Sequence, residues 1–323
     1  MRRRTFIAGL GAAAFPRSAH AQQTKVTRIG FLRYASPHAK QFNAFRDGLS
    51  ALGYVEGQNI VIEQRYANGV PRQLGPLAEE LVRLQMDVLV VDGSTTARAA
   101  KTATSTIPVV FSLVTDPVVE QLVFSMARPG TNMTGLTMSV GYQLAGKRVE
   151  LLKDVKPNLS RLAILTQPEN ATSRAYVDDT ERVSQALLIT TRTFEARTVD
   201  DLPASFAAMG NWQADGLITL ADALLFSERA RIVSLAMQHR LPGVHPEIEF
   251  PLAGGLLSYG PSLVDLYRRA ASCVDKIIKG TPPAELPIEQ PSKLDLVVNL
   301  KTAQSLGLTI SRDFLLRADE VIE

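Results

Sequence analysis

Short apolar runs recur along this chain, each followed by a polar turn and then by apolar residues at helical spacing. The first run is 28–33 (RIGFLR), and Phe42, Phe45, Leu49 and Leu52 then mark one face of a helix that Gly53 is placed to end. A second run at 60–66 leads to Leu74, Leu77, Leu81 and Leu84, again three or four apart. Residues 88–92 (VLVVD) predict a buried strand, closed by a tight turn at Gly93, a Ser94-Thr95-Thr96 cluster and an alanine-rich helix. The next strand is 109–114, Asp116-Pro117 reads as the start of a helix reaching about Met126, and 133–138 is a fifth strand. Unbroken apolar runs suit a parallel sheet covered on both faces, and strands alternating with helices predict a doubly wound α/β domain.

The scheme then repeats without repeating the sequence. Helix 142–155 precedes strands at 161–166, 190–196 and 216–220, separated by helices through Val183 and Leu187 and over 202–209. A helix at 227–240 and short strands at 241–245 and 255–259 complete the second series. Leu263, Leu266, Ala270, Cys273 and Ile277 form a further helical stripe. Pro282, Pro283, Pro287 and Pro291 mark an extended connector before a strand at 294–300 and a short helix at 302–306. Two similar α/β lobes enclose a cleft, and such interfaces commonly hold small molecules.

Open α/β sheets bind ligands at the carboxyl ends of their strands, so polar residues there are the candidates. They are Ser94, Thr95, Asp116, Thr137, Asn170, Asp222 and Tyr259. The turn at 93–96 opens a helix N-terminus, whose free N–H groups favour an anion. Ser94 and Thr95 either cap that helix or donate to a ligand, and one hydroxyl can do each. Asp116 and Asp222 are N-caps or partners for a ligand ammonium, which needs a carboxylate in a dry cleft. Tyr259 offers a flat apolar face and a hydroxyl, or simply packs a hinge. No metal site is expected: His38, His239 and His245 lack ligand spacing, and His245-Pro246-Glu247 reads as a packed loop. No G-x-S-x-G, no phosphate-binding glycine loop and no paired nucleophile occur, so neither an enzyme nor a cofactor is expected.

Composition narrows the class. The 323 residues are 46% hydrophobic, enough for two domains of ordinary size. No apolar run in them approaches the ~20 residues that span a bilayer. Cys273 is the single cysteine, so no internal disulfide forms, and its place in the helical stripe predicts a buried thiol. The formal charge of +3 misleads, because residues 1–21 hold Arg2, Arg3, Arg4 and Arg17 and no acid. Without them the 35 basic residues fall to 31 against 32 acidic, a net charge of −1 that gives nucleic acid no reason to bind. Those residues have the three parts of an export signal: a basic start, a short apolar stretch, and Ala19-His20-Ala21 before Gln22. Arg3-Arg4 followed by Phe6-Ile7 resembles a twin-arginine signal, so cleavage after Ala21 and a periplasmic location are expected.

The chain resembles the substrate-binding proteins of bacterial ABC importers, in the branch that includes tryptophan- and tyrosine-binding members. The resemblance spans essentially the whole mature chain. It is carried by Gly53-Tyr54-Val55-Glu56-Gly57-Gln58-Asn59, Ile107-Pro108-Val109-Val110-Phe111, Asp116-Pro117 and the stretch 127–135 (ARPGTNMTG). Further on it is carried by 254–260 (GGLLSYG), 274–280 (VDKIIKG) and Asn299-Leu300-Lys301-Thr302-Ala303. It implies a type I periplasmic binding protein fold: two Rossmann-like lobes joined by three crossovers, near 137–142, 259–261 and Gly280. Lobe 1 is then 24–138 with 260–280, and lobe 2 is 139–259 with 281–323. The family's ligands are often amino acids, whose carboxylate would meet Ser94 and Thr95 and whose amine would meet Asp116 or Asp222. It further implies a monomer that serves an inner-membrane ABC permease and catalyses nothing. A ligand-sensing module for a membrane receptor would share fold and cleft, and a secreted enzyme on such a fold would differ by turning its ligand over. Thr95-Thr96 and Gln167-Pro168-Glu169-Asn170 depart from many relatives at the presumed cleft, so the resemblance does not name the ligand.

Overall fold

The computed structural model describes residues 26–37 and 39–323. The expected export signal at 1–21 and His38 lie outside them. The first lobe opens with β1 (Thr27–Arg33), α1 (Ala39–Ala51), β2 (Ile60–Tyr66) and α2 (Leu74–Arg83). It continues through β3 (Val88–Asp92), α3 (Gly93–Ala103), β4 (Val109–Val114) and β5 (Met133–Thr137). All five strands are parallel, in the order β2-β1-β3-β4-β5. Every residue of β3 and β5 is buried, as a strand covered on both faces requires.

The chain then crosses into α4 (Gln143–Val155), β6 (Arg161–Thr166), α5 (Ser173–Ala186), β7 (Thr190–Glu195), α6 (Leu202–Asn211) and β8 (Gly216–Thr219). Two helices follow, α7 (Ala223–Ser227) and α8 (Arg229–Gln238), where the sequence pattern predicts one. Next come β9 (Gly243–His245), α9 (Glu249–Leu252) and β10 (Leu257–Pro261). The long helix α10 (Leu263–Ile278) precedes β11 (Leu294–Asn299), α11 (Leu300–Ser305), α12 (Arg312–Arg317) and β12 (Glu320–Ile322). The second sheet runs β12-β11-β10-β9-β8-β6-β7, and its one antiparallel pair is β10 with β11.

Four apolar clusters cover the two faces of each sheet. Phe31, Phe45, Val90 and Val110 pack with Leu266, Tyr267, Ala270 and Cys273, so α10 returns from far along the chain to cover β3, β4 and β5 beside α1. The opposite face is closed by Leu74, Leu81, Ala97 and Ala100 of α2 and α3. In the second lobe, Val149, Leu152 and Tyr176 cover one face while Phe206, Ile232 and Val233 cover the other.

Two expectations need correction. Residues 117–126 form turns and no helix: Asp116 Oδ1 accepts from the N–H groups of Val118 and Val119, and both valines are exposed. An isolated Asx turn with no apolar stripe behind it cannot propagate. The third crossover lies after Glu289, not at Gly280. Leu286 and Ile288 are buried in the first lobe's clusters and Glu289 pairs with Leu136, so only 294–323 joins the second sheet. The C-terminal elements α12 and β12, six and three residues long, are too short for periodicity to reveal them.

Candidate ligand-binding site

The carboxyl ends of both sheets face each other across a cavity of about 180 Å³. The first lobe contributes the start of α3. Gly93 follows β3 directly with φ +69, and its N-cap residue Asp92 makes no capping bond with its side chain. The Asp92 carboxylate is drawn inward instead. It accepts from Tyr34 N–H and Tyr267 O–H at 3.0 Å each and pairs with Arg33 Nε at 2.9 Å. The first-turn N–H groups of α3 therefore keep their capacity for an anion, with the Thr95 hydroxyl beside them.

Ser94 takes a third role that neither capping nor ligand contact anticipated. Its hydroxyl donates to Glu120, which also receives Arg98 Nη1 at 2.8 Å. Burial pushes the Glu120 carboxyl up, against the downward pull of Ser94 and Arg98.

The second lobe supplies carboxylates. Asp222 caps α7, accepting from Leu224 N–H at 2.7 Å and Leu225 N–H at 3.4 Å, and its other oxygen takes Asn170 Nδ2 at 3.1 Å. Burial raises its pKa despite those donors. Asp222 is thus a cap, one of the two alternatives left open by the sequence, and it also lines the cavity. Asp222→Ala is expected to cost about 1 kcal/mol of stability through the lost cap, read by urea denaturation. An unchanged midpoint would show that the cap carries no weight.

Glu247 is a buried acid of the cavity wall that sequence reading missed. Its side chain is 4% exposed, lines the cavity and accepts no hydrogen bond among the described residues. Burial pushes its carboxyl up to about 8, Arg148 opposes, and Glu249 and Asp222 push further. The signal was an acid two residues beyond a strand, hidden in His245-Pro246-Glu247. His245 itself is packing: it stacks on Phe250 at 4.3 Å, its Nδ1 lies 2.9 Å from Thr219 Oγ1, and burial lowers its pKa to about 3.

Four of the seven predicted residues line the cavity: Ser94, Thr95, Asn170 and Asp222. Asp116, Thr137 and Tyr259 do not, and each has another engagement. Asp116 Oδ2 accepts from Tyr142 O–H at 2.7 Å, tying the turn after β4 to the first crossover. Thr137 donates to Thr115 O at 2.7 Å and accepts from Ser139 N–H at 3.0 Å. Tyr259 packs its ring on the second lobe's core, and its carbonyl accepts from Arg148 Nε at 2.7 Å. Its neighbour Gly260 is constrained, since a Cβ there would lie 1.9 Å from Pro246 O. Apolar lining comes from Leu113, Met138, Ala221, Phe226 and Leu263, and Tyr34 adds a ring whose hydroxyl donates to Gly69 O at 2.9 Å. The lobes touch across the cleft, where Gln41 Nε2 donates to Glu249 Oε1 at 3.1 Å. The described residues contain no cluster of acids, histidines or cysteines able to hold a metal.

The family described as ABC transporter substrate binding protein matches residues 34–322. The chain belongs to that family. A tyrosine-binding protein of Clostridioides difficile is 22% identical over 269 residues, 83% of this chain and 77% of that protein. Among solved structures, an ABC domain from Streptococcus pneumonia in complex with L-Trp superposes with a TM-score of 0.85 at 26% identity. The match covers 92% of this chain and 99% of that one. A conserved domain protein from Vibrio cholerae reaches 0.84 at 28% identity, over 92% of this chain and all of the other. With the two sheets described above, these similarities establish the type I periplasmic binding fold. The chain is thus a member of a family of substrate-binding proteins.

Proposed function

We propose that this substrate-binding protein captures a small zwitterion, an amino acid or a closely related molecule, and presents it to an inner-membrane permease for import. One observation carries the reading. The cleft has complementary polar walls, with uncapped first-turn N–H groups and Thr95 on one lobe and the unpartnered Glu247 beside Asp222 on the other. An α-carboxylate suits the first wall and an α-ammonium the second, while Leu113, Met138 and Phe226 take the side chain. The relatives that bind tyrosine and L-Trp support an amino acid as the ligand. The ligand touches both walls only when the lobes are together, so binding shifts the population toward the closed state and no bond is made or broken. A periplasmic location, an exported and cleaved N-terminus and a monomeric state accompany this role.

The test is thermal denaturation of the purified protein against each of the common L-amino acids. A ligand at ten times its Kd adds about 1.4 kcal/mol, a rise of a few degrees in Tm. Native mass spectrometry should then find one intact ligand per chain. No response to any amino acid, or recovery of a chemically altered one, would sink the reading.

A further inference from the structure

Strand β4 carries one residue more than its partner. Its pairing with β5 joins Val109 to Met133, Val110 to Thr134 and Phe111 to Gly135, then resumes with Val114 on Thr137. Three steps along β4 match two along β5, which makes Ser112-Leu113 a bulge. Leu113 sits there at φ +62, a left-handed backbone that a leucine side chain disfavours. The partner strand yields too. Gly135 has φ +145, and a Cβ on it would lie 1.9 Å from Phe111 O.

The extra residue changes which side chain reaches which face. Val109 and Phe111 pack in the cluster under α2 and α3, and Val110 packs in the opposite one under α10. Strict alternation would continue with Leu113 on the α2 and α3 side and Val114 on the other. The structure reverses both. Val114 joins the α2 and α3 cluster, while Leu113 packs toward the α10 cluster and lines the cleft.

Bulges re-aim side chains beside functional sites, and a strained backbone persists where its surroundings enforce it. We infer that Leu113 is a specificity-determining residue: held by the bulge against the cleft, it sets how bulky an apolar group the ligand can carry. The inference rests on the proposed capture of an amino acid or a closely related zwitterion. It goes further in assigning the size limit to one side chain and its backbone.

The experiment is calorimetric titration of the intact protein, Leu113→Ala and Leu113→Phe. The probes are L-alanine, L-leucine, L-tyrosine, L-tryptophan, acetate, phenylacetate and indole-3-acetate. Leu113→Ala should raise the ratio of bulky-ligand to small-ligand affinity at least tenfold, and Leu113→Phe should lower it by a similar factor. Equal changes across the panel in both variants would overturn the inference while leaving the amino-acid reading intact. Binding of the amine-free acids but of no amino acid would overturn that reading alone, with the size ratio then read on the three acids. A wild-type protein that binds no member of the panel overturns both. Leu113→Gly relieves the positive φ that alanine keeps, so it should melt no lower than Leu113→Ala and follow it in its ligand ratio. A Gly variant that keeps the wild-type ratio would also count against the inference.

Discussion

Glu247→Gln should weaken binding of an amino acid several-hundredfold, about 3–4 kcal/mol, when titrated at pH 8. The carboxyl is buried, faces the cavity and has no hydrogen-bond donor of its own, so a ligand ammonium is the partner that completes it. Glutamine keeps the shape and loses the charge. The pH dependence follows from the same burial. Burial pushes the folded carboxyl up to about 8 from its ordinary value of 4.5. A raised carboxyl pKa means that the folded state holds a proton the unfolded chain has already lost. Glu247 therefore makes its full contribution to stability below about pH 4.5, and that contribution is lost as pH rises toward about 8. The glutamine variant should lack this decline in denaturation curves taken across the window. An arriving ammonium favours the ionised form, so binding near pH 6 should release a proton and tighten as pH rises. Titrations in buffers of different ionisation enthalpy would reveal the proton. Equal affinity in both proteins, with no proton released, would remove Glu247 from the ligand's contacts.

Arg33→Met should be the costliest single change to the fold, at about 3–5 kcal/mol in urea denaturation. Arg33 is 1% exposed, lies 2.9 Å from Asp92 Oδ2 and donates to Gln41. Its guanidinium also lies over the Tyr267 ring, 5.8 Å from the centroid. Removing it leaves Asp92 buried with only Tyr34 N–H and Tyr267 O–H to meet its charge. Adding Asp92→Asn should recover part of the loss, since the stranded charge goes with it. A loss under about 1 kcal/mol would show that the pair is not coupled.

The lobes were legible because their strands are unbroken apolar runs and their helices keep a clean stripe, as along Leu263, Leu266, Ala270, Cys273 and Ile277. Ser94, Thr95, Asn170 and Asp222 were legible for a related reason: in a parallel sheet, the residues just past a strand lie at the edge where the cleft opens. That rule places a backbone and does not aim a side chain. Thr137 ends β5 as expected, yet its hydroxyl turns to Thr115 O. Asp116-Pro117 carries the signal of a helix start but is followed by exposed valines with no stripe behind them. Glu247 follows a strand end by the same rule, but its burial depends on the lateral order β8-β9-β10, which no local pattern encodes. The bulge at Leu113 is equally silent, since an extra residue is extra only against a partner strand.

The return of α10 has a consequence for how the polypeptide is made. The five strands of the first sheet are complete once Thr137 has been synthesised, but the apolar face of β3, β4 and β5 beside α1 then lacks its second covering helix. Its cover, Leu263 to Ile277, emerges more than a hundred residues later, after most of the second lobe. A nascent chain halted between those points would present Val90, Val110, Leu136 and the flank of α1 as a sticky surface. Neither lobe can be cut out as one continuous gene segment, and the lobe translated first must wait to be sealed.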